Sequence, residues 1–543
     1  MTQAELARQI RTGQHIPDIL DCLAQLSNDE VPTPPRLARA MLDILPAHVW
    51  GEAEYKWLDP ACKSGVFLRE VAVRLLDGLS GQFPDFETRR DHIFRNMLYG
   101  TSITDLTGII SRRTVYYSHN AAGPKSVIHF DNNTGNIPFI RADHTFPKRK
   151  DGTVSGGCTQ CGAPLTLERG EDRENYAYSF IHDAYPTKEL ADMKFDVIVG
   201  NPPYQAGDKK NEEDRAAPVY NRFVSQAIEM DPRYVLMITP SRWFTGGWGL
   251  TEYRQKMLND RRMRIIVDNP KLYDCFPGVK IEGGVSYFLW DREHAGDCEF
   301  SIRIDGNLVS TATRDLREGD GVLMRDNKSA EIVHKVRAAH QGGWVEDTCG
   351  PQMAFGHMRT NFNGDHPNKQ PGDVALVLSS RGGYISPDVI DKNHDWVDRW
   401  KVLIPMAFGD GSANEGSTVL GEPIALAPGS ACTQSYIVAG LFDTRTETEN
   451  FAHYLATKFL RFLVLPRKSS QHVFDERFRF VPMLDMTRAW SDEDLYDHFG
   501  LTQEERDYIE ASIKPRSVNL SLDSPIPASH LPGGSKYKIK DAD

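Results

Sequence analysis

Apolar runs and amphipathic segments alternate along the first half of this chain. The runs that predict strands lack the one-in-two spacing of a half-exposed strand and lie within residues 57–59, 96–100, 195–199, 234–240, 264–268 and 283–290. Such strands are typical of parallel sheets, because helices cover both faces of these sheets. Residues 66–76 and 219–228 have the spacing of amphipathic helices. The pattern therefore predicts an α/β fold with a doubly wound sheet.

The alternation is lost between residues 291 and 470, where predicted strands are short and glycines and polar loops recur. Residues 448–465 predict a helix with an apolar face, and a further helix begins at Ser491 with an acidic first turn. Proline, serine and lysine beyond residue 515 predict a disordered tail. We expect a helical segment at 1–30, a catalytic domain at 31–292, a C-terminal α+β region at 293–514 and a tail at 515–543.

A predicted strand that ends in Gly200 leads into Asn201, Pro202, Pro203 and Tyr204. Glycine allows a sharp turn at the carboxyl end of the strand, where open α/β sheets bind their ligands. The two prolines fix φ and stiffen the loop. The side-chain oxygen of Asn201 and the carbonyl of Pro202 can then accept both hydrogens of an aromatic amine, which directs its lone pair towards a methyl donor. Tyr204 offers a ring face for stacking.

Two further segments accompany this loop. Residues 57–68 combine a strand, a turn of small residues and a helix, and residues 31–42 begin with Val-Pro-Thr-Pro-Pro. With the Asn-Pro-Pro-Tyr turn, they resemble motifs I, X and IV of the S-adenosylmethionine-dependent amino-methyltransferases. The order, motif X before I before IV with a long C-terminal remainder, is similar to the gamma group. That group includes the adenine-specific DNA methylases of restriction–modification systems.

The resemblance implies a seven-stranded Rossmann-like methyltransferase sheet and a C-terminal target-recognition region that reads base edges. It implies S-adenosylmethionine as cofactor and double-stranded DNA as partner, with the adenine flipped out and methylated directly on N6. A separate restriction subunit is left open. The catalytic residues implied are Asn201, Pro202, Pro203 and Tyr204. The cofactor residues implied are Thr33, Pro34, Asp59, Pro60, Ala61, Gly65, Ser102 and Asp143.

The cofactor side departs from the family pattern at two positions. Lys63 stands where the family has a glycine, so we expect a reshaped turn or an altered cofactor affinity. Ser102 stands where an acidic residue would hold the ribose hydroxyls, and Asp105 is the nearest substitute. Tyr287 lies in a segment that resembles motif VIII. We expect its ring either to stack on the flipped base or to be a core aromatic of its strand.

An insertion at residues 144–182 separates the two halves of the predicted sheet. It carries Cys158 and Cys161 as a CxxC knuckle between glycines, flanked by His144 and His182. Two cysteines and two histidines are the ligand set of a structural zinc site, which would staple a loop-rich segment. Two reduced thiols in a turn, or a redox pair, are the alternatives, and His144 could instead belong to the cofactor pocket beside Asp143.

The net charge of −12 argues against a protein that coats DNA but is compatible with an enzyme that has one basic cleft. Basic clusters lie at residues 148–150, 209–210, 261–264 and 467–468, and we expect the last two nearest the substrate. Eight cysteines without regular spacing, apart from the one knuckle, and a polar N-terminus predict a cytoplasmic enzyme. Two other functions stay open: methylation of a glutamine amide in a translation release factor, and DNA binding by a decayed methylase fold.

Overall fold

The computed structural model describes residues 31–535, apart from residues 155, 164–176, 191, 207–216, 248, 357, 360–361, 363, 367, 407–418, 468–474 and 533. The helical segment predicted for residues 1–30 lies outside the described residues. The chain divides into two compact units, one up to Leu323 and one from Met324. The boundary expected near residue 292 is thus moved along the chain, because a hairpin that follows residue 292 extends the sheet of the first unit.

The strands of the first unit are β1 (Trp57–Cys62), β2 (Leu98–Ser102), β3 (Val197–Gly200), β4 (Gln205–Ala206), β5 (Ala217–Pro218), β6 (Tyr234–Pro240), β7 (Met263–Asn269), β8 (Val285–Asp291), β9 (Cys298–Ile304) and β10 (Asn307–Arg314). Eight of them form one sheet in the order β10-β9-β7-β8-β6-β3-β1-β2, whereas β4 and β5 form a separate hairpin. Strands β2, β1, β3 and β6 are parallel to one another, and β8 runs antiparallel to both β6 and β7, between which it lies.

The α/β fold class is confirmed. Among the described residues the sheet has eight strands rather than the seven expected, of which six lie at expected positions and two are additional. The additional strands are β9, which pairs with β7 in parallel, and β10, which returns antiparallel to β9. At the opposite edge, Phe139 forms only an isolated parallel bridge with Ser102 of β2. The hairpin at residues 298–314 extends the sheet beyond residue 290, where the apolar runs predict that it ends.

Helices cover both faces of this sheet. They are α1 (Pro35–Leu42), α2 (Val66–Gly78), α3 (Phe86–His92), α4 (Asp105–Tyr116), α5 (Tyr220–Glu229) and α6 (Thr251–Asn259). Val197 and Val199 of β3 lie in a core with Leu42 and Leu75, whereas Ile198 between them lies in the opposite core. Both faces of β3 are therefore buried, which explains its unbroken apolar run. None of the helices among the described residues is long and apolar enough to cross a membrane.

The second unit combines two small sheets with five helices among its described residues. The helices are α7 (Asn327–Ala339), α8 (Arg445–Ala456), α9 (Lys458–Val464), α10 (Asp492–His498) and α11 (Gln503–Ser512). The strands are β11 (Val374–Val377), β12 (Gly382–Ile385), β13 (Trp400–Pro405), β14 (Ile424–Leu426), β15 (Ser430–Cys432), β16 (Tyr436–Phe442) and β17 (Asn519–Ser521). The sheet orders are β12-β11-β15 and β16-β13-β14-β17.

The prediction of a disordered tail from residue 515 is wrong for the part of that segment that the structure describes. Strand β17 pairs in parallel with β14, so Asn519 lies opposite Ile424. Ile526 and His530 are buried, and the imidazole of His530 lies 2.9 Å from the hydroxyl of Tyr436. Composition alone did not predict this strand, because its hydrogen-bond partner lies far away in the sequence.

The parallel strands of the first unit bring several chain segments to one edge of the sheet. The strands β1, β3, β6 and β7 run in the same direction, so their carboxyl ends meet at this edge. Asn201 directly follows β3, and Asp59 lies in the neighbouring strand β1. This edge is therefore where the predicted catalytic and cofactor residues come together.

Candidate active site

Gly200 places the predicted catalytic loop, residues 201–204, beside Asp59. It is the last residue of β3, and a Cβ atom built on it would lie 2.9 Å from the Oδ1 atom of Asp59. Any other residue at this position would push the carboxyl group of Asp59 aside. The glycine is thus needed here for close packing of two strand ends, in addition to its role in the turn.

Asn201 is held by the segment that precedes α1. Its side chain is buried, and its amide nitrogen donates to the Oγ1 atom of Thr33 at 3.1 Å and to the carbonyl of Val31 at 3.4 Å. The side-chain oxygen of Asn201 is also buried and has no hydrogen-bond partner among the described residues. Because a buried acceptor without a partner is costly, this oxygen is suited to a donor from a ligand. The structure thus brings together two predicted site residues that are 168 positions apart.

Tyr204 lies between aromatic side chains. Its ring makes edge contacts with Phe276 and Tyr220, with centroids 6.5 and 6.4 Å away, and the ammonium of Lys63 lies 6.0 Å from its centroid. Its hydroxyl is buried without a partner among the described residues, and burial raises the pKa of Tyr204 well above its usual value. The sequence gives no signal for Phe276, because the segment between β7 and β8 has no regular apolar spacing.

Asp59 is a buried carboxyl at the same edge. The backbone N–H of Ala61 donates to its Oδ1 atom at 3.0 Å, which fixes the turn that contains Pro60. Burial raises the pKa of Asp59 to about 7, although this hydrogen bond and the charge of Lys63 act in the opposite direction. A cationic ligand group beside Asp59 would favour its ionised form.

The turn from β1 into α2 accommodates Lys63 without a left-handed backbone at that residue. Gly65 takes the positive φ of 74° as the N-cap of α2, and a Cβ atom on it would lie 2.9 Å from the carbonyl of Ser111. Lys63 is 8% exposed, and its ammonium donates to the carbonyl of Val31 at 3.4 Å. Lys63 therefore joins the turn to the same segment that holds Asn201. Pro34 is the N-cap of α1 and accepts from the backbone N–H of Leu37 at 2.9 Å.

Ser102, Asp105 and Asp143 are expected near the cofactor's ribose and base. Unlike Asn201 and Thr33, these described residues are not joined to one another by hydrogen bonds. The hydroxyl of Ser102 donates to the carbonyl of Pro138 at 3.4 Å, and its oxygen lies 2.7 Å from where a Cβ atom of Gly108 would be. Asp105 is exposed at the first position of α4. The side chain of Asp143 is 89% exposed and lies 3.8 Å from Arg141. The cofactor roles of Ser102 and Asp143 stay predictions.

Tyr287 is placed in the core. It is 2% exposed on β8, shares an apolar cluster with Val267 and Leu289, and its pKa is raised to about 12 by burial. Of the two roles left open for it, the core aromatic is the one observed, and stacking on a base is not supported. Phe276, in contact with Tyr204, is the aromatic residue that the structure adds at the loop.

The four residues of the cysteine–histidine group converge. One ligand atom from each of His144, Cys158, Cys161 and His182 lies within 4.8 Å of all the others. The Sγ atom of Cys158 is 3.4 Å from Nε2 of His182, and that of Cys161 is 3.3 Å from Nδ1 of His144. The other ring nitrogen of His182 lies 2.8 Å from the carbonyl of Tyr178, which orients the imidazole towards the sulfur atoms.

The arginine cluster at residues 261–264 is not at the sheet edge that carries Asn201 and Asp59, contrary to the expectation that it lies near the substrate. It lies at the start of β7, where the amino ends of the parallel strands meet. Arg261, Arg262 and Arg264 form ion pairs with Asp297, Asp260 and Asp291. In the other cluster expected near substrate, Arg467 is buried against the ring of Phe480, and residue 468 lies outside the described residues.

Known proteins resemble this chain at the level of sequence. The profile of the Eco57I restriction-modification methylase family matches residues 96–276. An uncharacterised adenine-specific methylase of Mycoplasma pneumoniae is 32% identical over 344 residues, which cover 58% of this chain and 80% of that relative.

Solved structures are more distant. The methyltransferase subunit of a type I restriction-modification system from Streptococcus thermophilus is 12% identical, with a TM-score of 0.34 over 54% of this chain and 58% of that chain. The type ISP restriction-modification enzyme LlaBIII, bound to DNA, is 12% identical, with a TM-score of 0.41 over 94% and 40% of the two chains. The chain spans about half the length of these two solved chains. Their structural similarity to this chain is too weak to support an assignment of function. By its sequence similarity to the methylase of M. pneumoniae, the chain belongs to the family of adenine-specific methylases.

Proposed function

We propose that the protein is a site-specific DNA methyltransferase that transfers a methyl group from S-adenosylmethionine to the exocyclic N6 amine of an adenine flipped out of the duplex. The observation that carries this proposal is the side-chain oxygen of Asn201, a buried acceptor without a partner among the described residues, whose orientation is fixed by Thr33. In a cell the enzyme would be the modification component of a restriction–modification or phage-defence system.

The catalytic loop acts by holding the amine. The oxygen of Asn201 accepts one amine hydrogen and the carbonyl of Pro202 accepts the other, so the nitrogen lone pair leaves the ring plane and faces the methyl donor. The neutral amide of Asn201 is not a base, so the proton on the methylated nitrogen leaves to solvent. Tyr204 and Phe276 supply aromatic surface for the base beside this loop.

The residues around Asp59 fit S-adenosylmethionine. The buried carboxyl of Asp59 would hold the cofactor's amino group. Thr33 and Pro34 would lie beside its methionine end, and Pro60, Ala61 and Gly65 would form the turn that approaches it. When bound, the cofactor supplies an electrophilic methyl group on a sulfonium centre. Lys63 was one of the two observations that favoured a decayed fold. Its φ is not positive, and Gly65 is the residue of this turn that has a positive φ, so lysine at position 63 does not strain the turn.

Replacement of Asn201 tests this proposal. In Asn201→Ala we expect methyl transfer from labelled S-adenosylmethionine to unmethylated genomic DNA to fall at least about a hundredfold, while calorimetry still detects cofactor binding. Asn307→Ala, an exposed asparagine of β10, is the matched control and should keep its rate. Sequencing of the product should find modified adenine at one short site. A variant at position 201 that methylates at a normal rate would contradict the role of Asn201.

We also propose that His144, Cys158, Cys161 and His182 hold a structural zinc ion. Two thiolates and two imidazoles are a complete tetrahedral set, which leaves no open position for catalysis. Elemental analysis of the purified protein should find one zinc per chain, and Cys158→Ser should lose it. The control is Cys349→Ser in the second unit, which should keep the metal. A wild-type protein with intact thiols and no zinc would contradict the metal site without affecting the proposed methyl transfer.

A further inference from the structure

We propose that the zinc-bound knuckle, residues 156–163, supports the catalytic loop by holding the β4–β5 hairpin and the start of α5 in place. This inference rests on the proposed zinc site. It gives the insertion at residues 144–182 a role in the reaction, although none of the four metal ligands belongs to the catalytic loop. The knuckle acts through two separate sets of contacts.

The first contact joins the knuckle to the hairpin that follows Tyr204. Gly162 has a φ of 75°, and a Cβ atom built on it would lie 2.9 Å from the Cβ atom of Ala217 in β5. Strand β5 pairs with β4, whose first residue follows Tyr204 directly. The backbone N–H of Val219 then donates to the carbonyl of Tyr204 at 3.2 Å. The knuckle therefore lies against the strand that closes the loop of Tyr204.

The second contact joins the metal site to α5. Arg222 of α5 donates to the carbonyl of Thr159 in the knuckle at 3.5 Å. The rings of Tyr178 and Phe180, which precede His182, pack on the ring of Phe223 with centroids 5.7 and 5.6 Å away. Since the carbonyl of Tyr178 orients the His182 ring at 2.8 Å, the ligand and the helix are held by the same short segment.

Both contacts end at the same pair of tyrosines. Tyr204 leads into β4, Tyr220 begins α5, and their rings touch edge to face at 6.4 Å. Both hydroxyls are buried and have no hydrogen-bond partner among the described residues. A shift of the hairpin or of α5 would move one ring relative to the other. A displacement of about 1 Å at an active site can lower the reaction rate about a hundredfold.

In this proposal the bound metal limits the motion of the knuckle. Among backbone hydrogen bonds, the knuckle is closed by Cys158 to Ala163 and by Gly162 to Cys158, each 2.8 Å long. His144 and His182 come from segments on either side of it. A bound ion cross-links all three segments, and closing such loops limits the conformations they can take.

The test compares two glycine variants of the full chain. Gly162→Ala keeps all four ligands but introduces a Cβ atom against Ala217. Gly156→Ala is the matched control, because Gly156 also has a φ of 75° but the nearest atom to its Cβ would be Pro147 Cγ at 3.9 Å. In Gly162→Ala we expect the rate of methyl transfer to genomic DNA to fall about tenfold or more. Hydrogen exchange should be faster at the amide of Val219, which donates to Tyr204, and in α5, but unchanged in β1 and α2.

Wild-type protein treated with a zinc chelator should show the same exchange pattern, faster in α5 than before and unchanged in α2. The inference is overturned if Gly162→Ala and Gly156→Ala match in rate and exchange, or if chelation changes exchange only within residues 144–182. The proposals fail separately: absence of zinc from active wild-type protein removes the metal site, and absence of methyl transfer from wild-type protein removes the proposed function.

Discussion

Asp59 should make cofactor binding depend on pH. Burial raises the pKa of its carboxyl to about 7, so it is mostly neutral at pH 6 and mostly ionised at pH 8. Because the cofactor's amino group is cationic, we expect the affinity for S-adenosylmethionine to rise several-fold between these pH values. The rise is smaller than the gain in ionised Asp59, because an α-amino group itself begins to lose its proton near pH 8. Calorimetric titrations across this range measure it. Asp59→Asn should bind weakly at every pH, and a wild-type affinity that is constant from pH 6 to 8 would contradict this role.

The raised pKa of Asp59 affects folding stability in the opposite direction to cofactor binding, because stability falls as the pH rises. A carboxyl whose pKa is higher in the folded state than in the unfolded chain favours folding most at low pH. That contribution is lost as the pH rises from about 4 to about 7. At pH 8 the ligand-free protein therefore carries a buried carboxylate beside its binding turn, and bound cofactor should stabilise the chain most there.

At the scale of residues, the sequence predicted best the location of those site residues that lie at the ends of strands. Asn201 and Asp59 follow apolar runs directly, so their convergence at one sheet edge follows from parallel strands. Tyr287 and Phe276 could not be assigned in this way. The face that an aromatic residue takes depends on its register with neighbouring strands, and Phe276 lies in an irregular segment whose path only the structure gives.

At the scale of elements, unbroken apolar runs predicted the central strands, because a strand that is buried on both faces has apolar residues at successive positions. Strand β17 has no such run. It is three residues long, its middle residue is exposed, and its backbone hydrogen bonds are made with β14, nearly a hundred residues earlier. Short strands of this kind are defined by their partners rather than by their own residues.

The segment after β17 should contribute to the stability of the second unit. The side chain of His530 is fully buried and is hydrogen bonded to the hydroxyl of Tyr436 at 2.9 Å. His530→Ala removes that partner and leaves a buried hydroxyl, so we expect a loss of about 1–3 kcal/mol in the free energy of unfolding. Thermal and urea unfolding measure this loss. Leu531→Ala, at an exposed position, should change stability little, and equal effects of the two variants would contradict the packing of this segment.

At the scale of the whole molecule, the net charge of −12 raises the question of how the chain meets DNA. The arginines at residues 261–264 are neutralised by aspartates at the far edge of the sheet. Lys148, Arg149 and Lys150 differ from them. All three are exposed next to a turn closed by the bridge between Lys148 and Val154, and none of them forms an ion pair with another described residue. Local structure thus distinguishes two clusters that look alike in the sequence.

We therefore expect the cluster at residues 148–150 to contact DNA phosphates. Replacing all three residues by alanine should weaken binding to duplex DNA of any sequence and reduce the salt dependence of binding by up to about three phosphate contacts. The matched control replaces Arg261, Arg262 and Arg264, which removes the same charge and should leave the salt slope unchanged because those side chains are already paired. Fluorescence anisotropy with labelled duplex between about 50 and 200 mM salt measures both slopes. Equal losses in the two triple variants would mean that net charge, rather than this exposed turn, governs how the enzyme approaches its substrate.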